Sequence, residues 1–120
     1  MYSILLVEDD KGIVSHLTEF LKNEGFAVDA AGGQAQALEK FGSCQYDLIL
    51  LDVSLPDGSG FAVCSAVKSQ RDIPVLFLTA SGDEFSVVAG LELGADDSIS
   101  KPFTQRELVS RLSPVLRRSG

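Results

Sequence analysis

Leu48-Ile49-Leu50-Leu51-Asp52 is a run of four aliphatic residues closed by one carboxylate. A short unbroken apolar run is how a strand buried on both faces reads, since neither face needs polar residues. The same grammar recurs on either side of it. Ile4-Leu5-Leu6-Val7 runs into Glu8-Asp9-Asp10, Val75-Leu76-Phe77-Leu78 into Thr79, and the shorter Ser98-Ile99-Ser100 into Lys101-Pro102. In an open parallel sheet, ligands bind beyond the carboxyl ends of the strands. Parallel pairing of these four segments therefore gathers carboxylates, a hydroxyl and an ammonium at one edge.

Helical patterns separate the runs. Ile13, Leu17, Phe20 and Leu21 predict a helix over 11–23, which Gly25 closes as a left-handed cap. A weaker strand follows over 26–31, then a helix over 35–41 that turns Leu38 and Phe41 inward. Ser54 to Gly60 reads as a loop by its Pro and Gly content. A helix through Phe61, Val63, Cys64 and Val67 comes next, and Pro74 opens the fourth strand. The helix over 83–93 ends on Gly94, and the last helix starts near Thr104, with Glu107 three residues on as a capping box. Pro114 lies inside that last pattern, where it removes a bond to the Ser110 carbonyl, so the helix either kinks there or ends near Leu112. Five alternating strand–helix units imply an α/β fold, a parallel sheet with helices on its faces and right-handed crossovers. The pattern leaves the strand order open.

A length of 120 residues fits one domain with its own core, and 45% apolar content argues for a globular chain. The net charge of -7 disfavours a nucleic-acid surface, and Arg111, Arg117 and Arg118 are too few for a phosphate-tracking patch. Cys44 and Cys64 have no metal-ligand or CxxC spacing and read as small buried or half-buried thiols in a reducing compartment. No apolar stretch approaches the about 20 residues of a membrane span, and the N-terminus has no signal-peptide pattern. The expectation is a cytoplasmic protein without membrane contact.

Carboxylates crowded at one edge repel one another unless a cation joins them. Mg²⁺ suits the set, because it takes oxygen ligands and only one or two protein carboxylates. Asp9 and Asp52 are the best direct ligands, with Glu8 or Asp10 acting through water. A carboxylate on a divalent ion can also be a nucleophile, as in enzymes that form an aspartyl-phosphate. Thr79 can donate to a transferred phosphoryl oxygen and Lys101 can neutralise its charge, which is what phosphoryl transfer asks of a protein. Taken singly, each of these residues reads as a turn, a cap or a solvated loop. At the ends of four strands together they read as one site.

The set resembles the receiver domain of bacterial two-component response regulators. The pieces that carry the resemblance are Ile4 to Asp10, Asp52-Val53-Ser54-Leu55-Pro56-Asp57-Gly58-Ser59-Gly60, Leu78-Thr79-Ala80, and Gly94-Ala95-Asp96-Asp97-Ser98-Ile99-Ser100-Lys101-Pro102-Phe103. It covers essentially the whole chain. It implies a flavodoxin-like (βα)5 sandwich with strand order 2-1-3-4-5. It makes Asp52 the phosphoacceptor, Glu8 and Asp9 the acidic pair for Mg²⁺, and the Ser54 backbone carbonyl a further ligand. Thr79 becomes the switch hydroxyl and Lys101 the ion-pair partner of the phosphoryl group, followed by a cis Pro102. The implied donor is a phosphohistidine on a sensor histidine kinase. The chain would catalyse its own phosphorylation and dephosphorylation rather than turn over an external substrate.

The Gly94-Ala95-Asp96-Asp97 run and the ending Leu116-Arg117-Arg118 resemble the subgroup attached to winged-helix DNA-binding domains. Residues 117–120 would then open a linker, and transcription would be controlled through a DNA-binding domain that is not in this chain. A stand-alone receiver acting by protein contact is the alternative. From other classes come a flavodoxin-like FMN module, disfavoured by the acids after the first strand, and an aspartyl-phosphate phosphatase, which needs an Asp-x-Asp motif absent from Asp52-Val53-Ser54. Two positions depart from the family pattern: Ser98 stands where most members carry an aromatic, and Val87 where many transcriptional members carry a basic residue. The resemblance also implies a homodimer on phosphorylation, in which Asp96 or Asp97 pairs with Arg111 across the interface and Phe85, Val87 or Leu93 supplies the apolar contact.

Overall fold

The computed structural model, which describes residues 1–119 and their side chains as far as Arg117, turns the apolar runs into one sheet. Its strands are β1 (Ser3–Val7), β2 (Ala27–Ala31), β3 (Leu48–Asp52), β4 (Val75–Thr79) and β5 (Asp97–Ser100). All pair in parallel in the order β2-β1-β3-β4-β5. The helices are α1 (Lys11–Asn23), α2 (Gln34–Ser43), α3 (Gly60–Gln70), α4 (Glu84–Glu92) and α5 (Gln105–Ser119). The sheet is thus the flavodoxin-like arrangement, with its switch in direction between β1 and β3.

Successive side chains of a strand point to opposite faces, and two cores follow from that period. Ile4, Leu6, Leu48, Leu50, Leu76, Leu78 and Ile99 face Leu17 and Leu21 of α1 and Leu108, Leu112, Val115 and Leu116 of α5. Leu5, Val7, Ile49, Leu51, Val75 and Phe77 face Ala37 and Phe41 of α2 and Val63, Cys64 and Val67 of α3. Four aliphatic residues in a row are tolerated in β3 because both of its faces are covered.

Local signals set the helix ends. The Asp10 side chain caps α1, its Oδ1 accepting from the Gly12 and Ile13 amides at 2.9 and 3.1 Å. Gly25, at φ 95°, takes the left-handed turn after α1 that a side chain would strain. The Thr104–Glu107 capping box forms in both directions, at 3.1 and 3.3 Å.

Three expectations are corrected. The last helix does not end near Leu112 but runs through Pro114 to Ser119. Leu112, Val115 and Leu116 are all buried beneath it, and burying such side chains yields roughly 1.5–3 kcal/mol each, enough to outweigh the ~3 kcal/mol cost of an interior proline. Residues 117–119 continue that helix, and Gly120, the last of the stretch 117–120 from which a linker would start, lies outside the described residues. The segment after Asp52 is no plain loop, since Ser54–Leu55 pairs antiparallel with Gly58–Ser59. Cys64 is buried but Cys44 is exposed. Among the described residues no helix is long and apolar enough to cross a membrane.

Candidate functional site

Two neighbouring strands, β1 and β3, deliver the acidic cluster. Glu8 follows β1 and extends its pairing, donating its amide to the Ala31 carbonyl at 3.0 Å, which fixes the side chain beneath the surface. Asp52 is the last residue of β3, and Asp9 stands exposed beside them. One carboxylate oxygen from each of Glu8, Asp9 and Asp52 lies within 4.8 Å of the others. Asp10, which the sequence left as an equal of Glu8 for a water-mediated role, is instead spent on capping α1.

From the other side of the sheet comes the counter-charge. Lys101, just past β5, donates its amide to the Thr79 carbonyl at 2.8 Å, and its peptide bond to Pro102 is cis. Its Nζ lies 2.8 Å from Glu8 Oε2 and 3.3 Å from Asp52 Oδ2. Burial pushes the Glu8 carboxyl above the usual range, while the hydrogen bonds from Lys101 and from the Asp10 amide at 3.2 Å pull it back. Burial opposes the charge on Lys101, yet its bond to Glu8 and the charges of Asp52 and Glu8 prevail and hold the ammonium above its ordinary value. Lys101 is therefore a permanent cation between two acids.

One ammonium among three carboxylates leaves negative charge uncompensated in a pocket whose donors are all oxygen. That fits a hard divalent cation such as Mg²⁺. Asp9 and Asp52 offer the more open oxygens, and Glu8, with 1% of its side chain exposed, sits behind them.

The remaining candidates fall into two groups. Thr79, at the end of β4, is buried and donates weakly, to the Ile99 carbonyl at 3.4 Å, with Ser100 Oγ at 3.5 Å. Ser54 belongs to the short ladder after Asp52. Ser98 is half-buried on β5, and its carbonyl accepts from Arg111 at 3.3 Å. Arg111 also meets Asp97 at 3.0 Å, and Asp96 meets Lys68 at 3.4 Å and the Val75 amide at 3.0 Å. Here the pair expected across a dimer closes within one chain, because α5 lies alongside β5 and brings Arg111 over it. Val87 is half-buried, whereas Phe85, Val88, Leu91 and Leu93 are 79%, 54%, 50% and 39% exposed.

Sequence reasoning missed Asp57 and Gln34. Asp57 accepts from the Gln34 and Ala35 amides at 2.6 and 3.0 Å, and Gln34 accepts from the Ser59 amide at 3.1 Å. The available signal was Gly33, which offers α2 no capping side chain. A groove of about 600 Å³ also opens beside Lys101, lined by Ile13, His16, Leu17, Ala80 and Phe103.

Comparison with known proteins agrees with this geometry. Residues 4–113 match the family model of the response regulator receiver domain. The chain is 47% identical over 119 residues to the transcriptional regulatory protein CpxR of Escherichia coli, covering 99% of this chain and 51% of that protein. It is 42% identical over 120 residues to the sensory transduction protein RegX3 of Mycolicibacterium smegmatis, covering 100% of this chain and 53% of that one. The chain thus spans about half the length of these curated relatives. Among solved structures, the receiver domain of the TMAO respiratory system response regulator TorR superposes with a TM-score of 0.94 at 32% identity, over 100% of both chains.

Proposed function

The chain belongs to the response regulator receiver family, and from that premise we propose that it is a phosphorylation-controlled switch whose acceptor is Asp52. The observation that carries the reading is the placement of the Lys101 ammonium between Glu8 and Asp52, in a pocket that three carboxylates keep negative. A sensor histidine kinase supplies the phosphoryl group in the cytoplasm. An Asp52 carboxylate oxygen attacks phosphorus, the phosphorus–nitrogen bond of the donor phosphohistidine breaks, and the imidazole leaves with a proton. Glu8, Asp9, Asp52 and the Ser54 carbonyl would hold Mg²⁺, which when bound neutralises charge on the phosphoryl oxygens. Lys101 exchanges a carboxylate for a phosphoryl oxygen as its partner. Thr79, held only at 3.4 Å, is free to turn and donate to another of these oxygens. The apolar groove beside Lys101 seats the donor protein. The chain acts on its own acceptor and not on an external substrate, and its output is transcriptional, through a DNA-binding domain elsewhere in the full protein.

Incubation with acetyl phosphate and Mg²⁺, borohydride trapping and mass spectrometry test the assignment. The label is expected at Asp52 alone. A label at Asp9 or Asp57 with Asp52 unmodified would overturn it.

The proposal includes a weak homodimer, strengthened by phosphorylation, that covers the outer face of α4. Phe85, Val88, Leu91 and Leu93 supply apolar area there, each worth roughly 1.5–3 kcal/mol when buried, against a cost of association of several kcal/mol (on the order of 4–15). Exchange of Arg111 from its own Asp97 to a neighbour's acid sets register at little gain, since exposed ion pairs are worth about 0–1 kcal/mol. Sedimentation with a phosphoryl mimic should show association that Val88→Glu removes. A dimer indifferent to that substitution rules the face out.

A further inference from the structure

The segment that follows Asp52 is fastened to the amino end of α2. Gly33 begins that helix without a capping side chain, so its first amides need an acceptor from elsewhere. Asp57 supplies both oxygens, at 2.6 Å to the Gln34 amide and 3.0 Å to that of Ala35. Gln34 returns the contact, its Oε1 accepting from the Ser59 amide at 3.1 Å. Two glycines make the approach possible. A Cβ on Gly33 would lie 2.6 Å from Asp57 Oδ1, and one on Gly58 would fall on the Gln34 carboxamide. Ser59 in turn pairs with Ser54 in the short ladder. The other side of the segment is pinned by Leu55, 8% exposed, and by the Gly60 amide, which donates to the Val53 carbonyl at 2.7 Å.

A side-chain ligand can be aimed by its own rotamer, but a backbone carbonyl is aimed only by the loop that carries it. Resting on the receiver reading above, we infer that Asp57 and Gln34 are positioning residues: by clasping α2 to this loop they set where the Ser54 carbonyl stands, and so tune the affinity of the acidic cluster for a divalent cation. The clasp is made with an ionised carboxylate. The Ala35 and Gln34 amides hold Asp57 below the usual carboxylate range, so it stays an acceptor at neutral pH. Groups that orient a ligand without touching the ion typically change metal affinity by about 10–100-fold when removed.

Four proteins decide the matter: wild type, Asp57→Ala, Asp57→Asn and Asp47→Ala, the last removing an exposed acid at the amino end of β3. Calorimetry with MgCl2 should show affinity about tenfold weaker in Asp57→Ala. In the metal-free protein, amide exchange should quicken at Ser59 and in the first turn of α2. Labelling of Asp52 by acetyl phosphate should return to the wild-type rate once Mg²⁺ is raised. Asp57→Asn, which keeps one of the two acceptors and turns an NH2 toward the other amide, should fall between wild type and Asp57→Ala, and Asp47→Ala should stay near wild type. An equal loss in Asp47→Ala would assign the effect to charge and reject the clasp, as would unchanged affinity in Asp57→Ala. A labelling defect that persists at saturating Mg²⁺ would mark a general loss of structure and reject it too. If wild type takes no phosphoryl group, the receiver reading fails, and calorimetry and exchange alone then decide the clasp.

Discussion

Asp52→Asn is expected to reduce phosphoryl labelling to background while leaving the protein folded. Asparagine keeps the shape of the side chain but carries an amide, which has neither the charge nor the nucleophilic oxygen that attack on phosphorus requires. The fold should tolerate the change for an electrostatic reason. Glu8, Asp9 and Asp52 crowd within 4.8 Å, and Lys101 is the cation that reaches Glu8 and Asp52. Removing one carboxylate relieves repulsion, and Lys101 keeps its 2.8 Å bond to Glu8. Thermal unfolding of the variant should therefore occur at or above the wild-type temperature in metal-free buffer. Borohydride trapping and mass spectrometry after acetyl phosphate treatment give the chemical readout. Labelling of the variant at wild-type level would move the acceptor elsewhere.

Phe41→Ala should cost about 3–5 kcal/mol, a large part of the roughly 5–15 kcal/mol that holds a domain of this size together. Phe41 is fully buried in the core between the sheet, α2 and α3. The Arg71 guanidinium stacks on its ring at 4.1 Å to the centroid and donates to the Phe41 and Cys44 carbonyls at 2.7 and 3.3 Å. The substitution thus opens a cavity and removes the face on which the cap of α2 rests. Melting should fall by on the order of 10–20 °C. Phe85→Ala is the matched control: its ring is 79% exposed, and the change should stay within about 0.5 kcal/mol. Equal losses in the two variants would contradict the burial pattern.

How far the sequence could be read depended on how each residue earns its place. Leu48 to Leu51 announced β3 because a strand covered on both faces has no polar positions to confuse the period. Ala27 to Ala31 spoke more faintly, being an edge strand of small residues that are mostly half-buried. The acids, Thr79 and Lys101 stood out because each follows an apolar run, so the topology alone brings them to one edge. Asp57 was invisible by comparison. Its partners are amides of a helix 22 and 23 residues earlier, and only the folded chain lays that helix against the loop. Pro114 misled for the opposite reason: its local cost is real, but Leu112, Val115 and Leu116 are held by tertiary burial that no local pattern expresses. For α4, the apolar excess could be counted, while which residues faced outward was settled by Gly90 and Ser86 lying inward.

The two buried residues of α4, a serine and a glycine, have a further consequence. A Cβ on Gly90 would come within 2.8 Å of the Phe77 ring, so the helix rests directly on β4 with no large side chain keyed into the core beneath it. Helix α3, by contrast, is anchored by Val63, Cys64 and Val67. Free energy of local opening follows the apolar area that an element buries, and by this measure the molecule is graded rather than uniform. Amide exchange should release α4 well before α3, and uniform protection of the two would contradict the gradient. The element that leaves Thr79 is thus the one whose detachment disturbs the rest of the protein least.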